Sequence, residues 1–120
     1  MRIRKFLRMY DLFYSKEAKV SIDALPLKKK RQIKDAAERI ASNPECGKRL
    51  SHLLTGFYSY RSGDYRIIYK VFREKVTVYV AAVGNRKDVY EKFLRKAPAY
   101  RNLSLNESKA KYGKARRKRK

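Results

Sequence analysis

Tyr58-Ser-Tyr-Arg-Ser-Gly-Asp-Tyr-Arg-Ile-Ile-Tyr69 decides the fold. Aromatic and β-branched residues flank Ser62-Gly63-Asp64, a hairpin-length turn, so the stretch reads as two antiparallel strands over residues 57–61 and 65–72. After Arg73-Glu74-Lys75, a second short turn, a third strand is expected over residues 76–83. Side chains alternate along a strand, which sets Tyr65, Ile67, Tyr69 and Val71 on one face and Arg66, Ile68, Lys70 and Phe72 on the other. Tyr58, Tyr60, Tyr65, Tyr69 and Tyr79 read as core and cross-strand packing. If helices cover the tyrosine face, Arg66 looks outward.

Those helices precede the meander. Ser15 can cap a first helix whose Ala18, Ile22 and Leu25 make one apolar stripe before Pro26 interrupts it. A second helix runs from Leu27 to about Ser42, with Ile33, Ala36, Ala37 and Ile40 on one face and Lys28 to Arg31 and Lys34 toward solvent, and Asn43-Pro44 stops it. The pair reads as a helical hairpin laid on the sheet. A strand around residues 9–14 would bring the sheet to about four strands, and residues 87–96 suit a closing helix with Val89, Phe93 and Leu94 inward. The expected class is therefore α+β: an N-terminal helical hairpin packed on a twisted antiparallel sheet, in one domain over residues 1–100. Beyond it, residues 101–120 hold nine Lys or Arg and one acidic residue, a composition expected to be disordered when alone.

Charge narrows the partners. Lys plus Arg number 33 against 11 Asp plus Glu, a formal +22, and such an excess repels itself unless a polyanion is near. Nucleic acid is the natural partner. The apolar run over 76–83, broken by Thr77, is far too short to span a bilayer, and the basic N-terminus lacks the apolar core of a secretory signal, so a cytoplasmic protein is expected. A single cysteine, Cys46, cannot form an internal disulfide, which agrees with a reducing compartment.

The usual catalytic kits are missing. There is one histidine, His52, read as a surface or turn residue, and no paired-cysteine site, His-Glu-x-x-His or phosphate-binding Walker loop, so no metal or cofactor is expected. What remains is Arg61, Arg66, Arg86 and Tyr90 as candidate catalytic groups. Lys48, Arg49, Lys87 and the terminal Arg116, Arg117, Lys118, Arg119 and Lys120 are candidate RNA contacts. Cleavage of RNA by its own 2′-hydroxyl needs a proton removed, charge on the phosphorane neutralised, and the leaving oxygen protonated. Arginine suits the second task, since its guanidinium stays charged and matches two phosphate oxygens at once. It exchanges protons poorly at neutral pH, which leaves Tyr90 as the candidate for proton transfer. The structural alternative is that Arg66 merely pairs with Asp64 or Glu74.

From about residue 9 to 95 this pattern resembles the RelE/ParE toxin superfamily of type II toxin–antitoxin pairs. The resemblance rests on the helical hairpin, the Leu50-x-x-Leu53 segment and the Tyr-x-x-Arg-x-Gly-Asp-Tyr-Arg string ending in Tyr69. Val83-Gly84-x-Arg86 and the later Tyr90 complete it. It implies a RelE-like endoribonuclease, an mRNA interferase that cuts message in the ribosomal decoding site and so inhibits translation, with a cognate antitoxin as partner. By position it assigns Arg66 to the scissile phosphate, Arg86 to the arginine after the last strand, Tyr90 to the substrate-contacting tyrosine and Arg61 to a further basic position. Two departures stand out. Phe57 and Ser59 occupy positions where well-known members carry lysines, and the chain continues well past the final tyrosine of typical members. Two other readings fit the same residues: a non-catalytic protein binding ribosomal RNA, and a ParE-like inhibitor of DNA gyrase.

Overall fold

The alternation over residues 57–83 produces the meander it implies. In a computed structural model, which describes residues 9–51, 54–95 and 114–115, the chain runs β1 Asp11–Tyr14, α1 Lys16–Asp23, α2 Leu27–Ser42, β2 Lys48–Arg49, β3 Phe57–Ser62, β4 Tyr65–Phe72, β5 Thr77–Asn85, α3 Arg86–Arg95 and β6 Lys114–Ala115. The strands form one sheet in the order β2-β3-β4-β5-β1-β6. β3, β4 and β5 are antiparallel neighbours, whereas β1 lies parallel to β5, with Leu12 opposite Val78 and Tyr14 opposite Val80.

Several expectations need correction. The sheet is mixed rather than antiparallel throughout, because β1 lies parallel to β5. The sheet has six strands rather than about four, because two-residue strands are added at both edges, and two residues carry no readable period. At one edge β6 pairs with β1, so Lys114 and Ala115 are not free chain. The unpaired backbone of an edge strand is a ready template for such pairing. The rest of the expected disordered tail lies outside the described residues. Nor are α1 and α2 a closely packed hairpin: α1 lies chiefly along β5, and α2 reaches over β3, β1 and β5, with only a slight contact between the two helices.

Capping fixes where α1 begins and ties it to the sheet. Ser15 Oγ accepts from Ala18 N at 3.0 Å and donates to Ala81 O at 2.7 Å, while Ser15 N reaches Val80 O at 3.0 Å. Val80 and Ala81 both turn carbonyls to Ser15 because the β4–β5 register slips there, pairing Ile68 with Ala82 but Tyr69 with Val80. The extra residue is a β-bulge.

Each face of the sheet is buried separately. Ala18, Ile33, Ala36, Ala37 and Ile40 of the helices cover Tyr58, Ile67, Tyr69, Val78 and Val80. On the opposite face Val89 and Phe93 of α3, with Leu54, cover Phe57, Ile68, Tyr79 and Phe13. Val89 and Phe93 face inward as expected, and the ring of Phe93 meets Phe57 edge-on with centroids 5.1 Å apart. Burying side chains of this size contributes roughly 1.5–3 kcal/mol each, so the middle of β4 and β5 anchors the fold. Polar side chains are left for the strand ends.

Candidate nucleic-acid interface

The antiparallel register sets Arg61 opposite Arg66, and Arg66 opposite Gly84. Two like charges directly across a strand pair repel, an arrangement that favours an anion between or above them. Gly84 lets the chain turn sharply from β5 into α3, since a Cβ there would lie 3.3 Å from Val89 Cβ. α3 then carries Tyr90 back over the sheet. Arg66 Nη1 donates to Tyr90 Oη at 3.1 Å, and the guanidinium carbon lies 5.7 Å from the Tyr90 ring centroid. Tyr90 in turn donates to Ser59 Oγ on β3. Arg66 Nε is buried and has no acceptor among the described residues, and an unmet buried donor costs about 1–3 kcal/mol.

The face therefore assembles Arg61, Arg66 and Tyr90 at the end of the meander where β3 finishes and β4 begins. Arg61 is exposed, and among the described residues its hydrogen bond is a long one of 3.5 Å from its Nε to Gly63 O. Arg66 turns to Tyr90; the ion pair seen among the described residues joins Arg73 to Glu45 instead, at the far end of the sheet. Lys48 and Arg49 part company. Lys48 pairs with Ser59 and so shares the face of Arg66, whereas Arg49 pairs with Tyr58, whose ring belongs to the α1–α2 face. Arg86 and Lys87 open α3 directly beyond Asn85, which pairs with Tyr65; the placement of their side chains is outside what is described. Arg116, Arg117, Lys118, Arg119, Lys120 and His52 also lie outside the described residues.

Sequence reasoning gave neither Ser59 nor Lys70 a role at the site. Alternation alone puts Ser59 two residues before Arg61 on the same face, which was the available signal. Lys70 pairs with Phe57 and holds its Nζ 5.5 Å from the Phe57 ring and 5.6 Å from the Phe72 ring. The two β3 positions occupied by Phe57 and Ser59 thus each have a lysine as direct cross-strand partner, Lys70 on β4 and Lys48 on β2.

β2 is held in place from the other face. Tyr69 Oη donates to Pro44 O at 2.8 Å and accepts from Gly47 N at 3.0 Å, and burial pushes its phenol far above the usual tyrosine range. A Cβ on Gly47 would overlap Tyr69 Oη, so glycine is needed for this approach. Among the described residues no group of three or more His, Cys, Asp and Glu could hold a metal, and no helix is long and apolar enough to cross a membrane.

A parallel strand beside an antiparallel meander, two helices on one face and a short helix delivering a tyrosine to an arginine on the other, is the build of a small toxin of a type II toxin–antitoxin system. The chain belongs to the family described as ParE toxin of type II toxin-antitoxin system, parDE, which matches residues 4–90. It is similar to Toxin RelG of Mycobacterium tuberculosis, 39% identical over 46 residues, covering 38% of this chain and 53% of RelG. The chain thus matches about half the length of that curated relative. Among solved structures it resembles the RelBE2 toxin–antitoxin complex of M. tuberculosis, with TM-score 0.61 and 28% identity over 65% of this chain and 92% of the other. It also resembles the isolated E. coli RelE toxin, with TM-score 0.56 and 26% identity over 72% and 97%. The intact E. coli RelBE complex gives TM-score 0.55 and 28% identity over 63% and 95%. The resemblance read from the glycine-aspartate-tyrosine-arginine string is therefore to the right superfamily.

Proposed function

We propose that this toxin is a RelE-like endoribonuclease that cuts mRNA in the decoding site of the ribosome, in the cytoplasm, and so stops translation. The observation that carries the reading is Arg66. Its Nε is buried without an acceptor, its Nη1 is held by Tyr90, and Arg61 lies exposed across the strand pair. A phosphate is the anion that the planar, permanently charged guanidinium of arginine suits best. In this reading Arg66 and Arg61 neutralise the phosphorane as the 2′-oxygen attacks phosphorus and the bond to the 5′-oxygen breaks, leaving a cyclic phosphate. Tyr90 and Lys48 are the nearby groups able to exchange the two protons, one from the 2′-hydroxyl and one to the leaving oxygen. Arg86 and Lys87, which open α3, are the further residues proposed to meet the RNA backbone.

The net charge of +22 supports a ribosomal setting, since ribosomal RNA surrounds the decoding site with phosphate. A cognate antitoxin is the second partner. Two of the similar structures are toxin–antitoxin complexes, and an acidic segment would complement this surface. The test is cleavage of message on programmed ribosomes. Wild type should cut, and Arg66→Ala should lower the rate about a hundredfold or more while ribosome binding persists. Binding with no cuts by wild type would leave a non-catalytic RNA-binding protein.

A second reading, action on DNA gyrase, is favoured by the ParE description of the matching family. It predicts DNA damage in expressing cells while translation continues.

A further inference from the structure

Tyr90 has a single hydroxyl proton, and the fold directs it inward. The Oη accepts from Arg66 Nη1 at 3.1 Å and gives its own hydrogen to Ser59 Oγ. Ser59 is only 5% exposed, a buried polar side chain between Tyr58 and Tyr60 of β3. Burying a hydroxyl is unfavourable unless it is hydrogen-bonded, and the partner it finds is Tyr90. A phenol offers one donor and lone pairs that accept, and its rotor is free until something fixes it. If the hydrogen swung toward the guanidinium, two donors would face each other and the Arg66 contact would be lost.

We infer that Ser59 is a positioning residue for Tyr90, and through Tyr90 for Arg66. By accepting the phenolic proton it turns an Oη lone pair to Arg66 Nη1. That contact keeps the guanidinium against the Tyr90 ring, its carbon 5.7 Å from the ring centroid. Three elements meet in this relay: β4 supplies the cation, α3 the phenol and β3 the acceptor. Its consequence for catalysis rests on the RNA-cutting reading, but the geometry belongs to the resting protein and is measurable without substrate.

The experiment compares wild type with Ser59→Ala, Ser59→Thr, Tyr90→Phe and the double variant Ser59→Ala with Tyr90→Phe. Two things are read on each: the NMR resonances of the Arg66 Nε–H and the Tyr90 ring in the free protein, and kcat and KM for cleavage on programmed ribosomes. Ser59→Ala should shift both resonances and lower kcat about five- to tenfold with little change in KM. Ser59→Thr, which keeps a hydroxyl, should restore both. In the Tyr90→Phe background, Ser59→Ala should leave the Arg66 resonance where Tyr90→Phe alone puts it, because the relay is already cut. Unchanged resonances in Ser59→Ala, or an equal shift of Arg66 with Tyr90 absent, would overturn the inference. A wild type that never cuts would defeat the nuclease reading alone, and the resonances would still decide the role of Ser59.

Discussion

Tyr14 ends β1 beside the α1 cap, and burial of its hydroxyl, with Glu38 adding to the effect, pushes its phenol from 10.0 up to about 12. The folded state therefore keeps a neutral phenol at a pH where the unfolded chain has begun to ionise. Its contribution to stability is complete below pH 10, and is lost as pH rises toward about 12. Tyr69 shifts in the same direction, again chiefly by burial. Lysines shed charge over the same range and relieve self-repulsion, an opposing trend, so the informative quantity is a difference. Chemical denaturation of wild type and Tyr14→Phe across that range should show wild type losing stability relative to the variant above pH 10. A gap independent of pH would contradict a buried neutral phenol. At this scale the sequence discloses which residue types matter more readily than what they touch. Arg66 and Tyr90 are legible because their types are chemically demanding, with Arg66 near the start of β4 and Tyr90 on the helix that follows the last long strand. Ser59 and Lys70 gain their roles only from partners across the sheet, and the register that selects those partners is written in no single residue.

Helix α3 is where an element, rather than a residue, sets the site. Phe93 on Phe57 pins its second half, while Gly84 lets its first turn begin close against β5. With Gly84→Ala the new Cβ would lie 3.3 Å from Val89 Cβ and 3.6 Å from its Cγ2. Val89 is 4% exposed and cannot retreat freely, so the first turn must shift by a few tenths of an ångström and take Tyr90, the next residue, with it. We expect a stability loss of about 1 kcal/mol by denaturation. Cleavage should fall further, by about tenfold or more, because reacting groups tolerate misplacement less than cores do. Equal wild-type activity and stability would mean that the tight turn places nothing. The helices were legible because each carries punctuation: Ser15 caps α1, Pro26 separates it from α2 and Asn43-Pro44 ends α2. β2 was not, since its position follows from the Tyr69 hydroxyl gripping Pro44 and Gly47 rather than from any period of its own. The alternation also left the Arg66 face open, whereas α3 closes its middle, leaving Arg61 and Arg66 at one end and Lys70 toward the other.

Charge is a property of the whole molecule, and it is unevenly spread: residues 1–100 hold 24 basic and 10 acidic residues, a net +14, and residues 101–120 the remaining +8. Composition discloses this excess at once but not its attachment, because the pairing of β6 with β1 joins residues about a hundred positions apart and leaves no local pattern. That pairing also shapes the test of the tail. Truncation at Tyr100 would remove β6 and uncover the edge of β1, mixing a structural effect with an electrostatic one. Ending the chain after Ala115 keeps the strand and removes five basic residues, lowering the net charge from +22 to +17. Each phosphate contact given up takes about 0.7–0.9 from the slope of log affinity against log salt, the range from single strands to duplex DNA, so the slope for ribosome binding should become shallower by up to about 3.5–4.5. Cuts per bound ribosome should not change, because Arg66, Tyr90 and Ser59 are untouched. A slope identical to that of the full chain would show that residues 116–120 meet no phosphate, and would leave the polyanion contact to the rest of the chain.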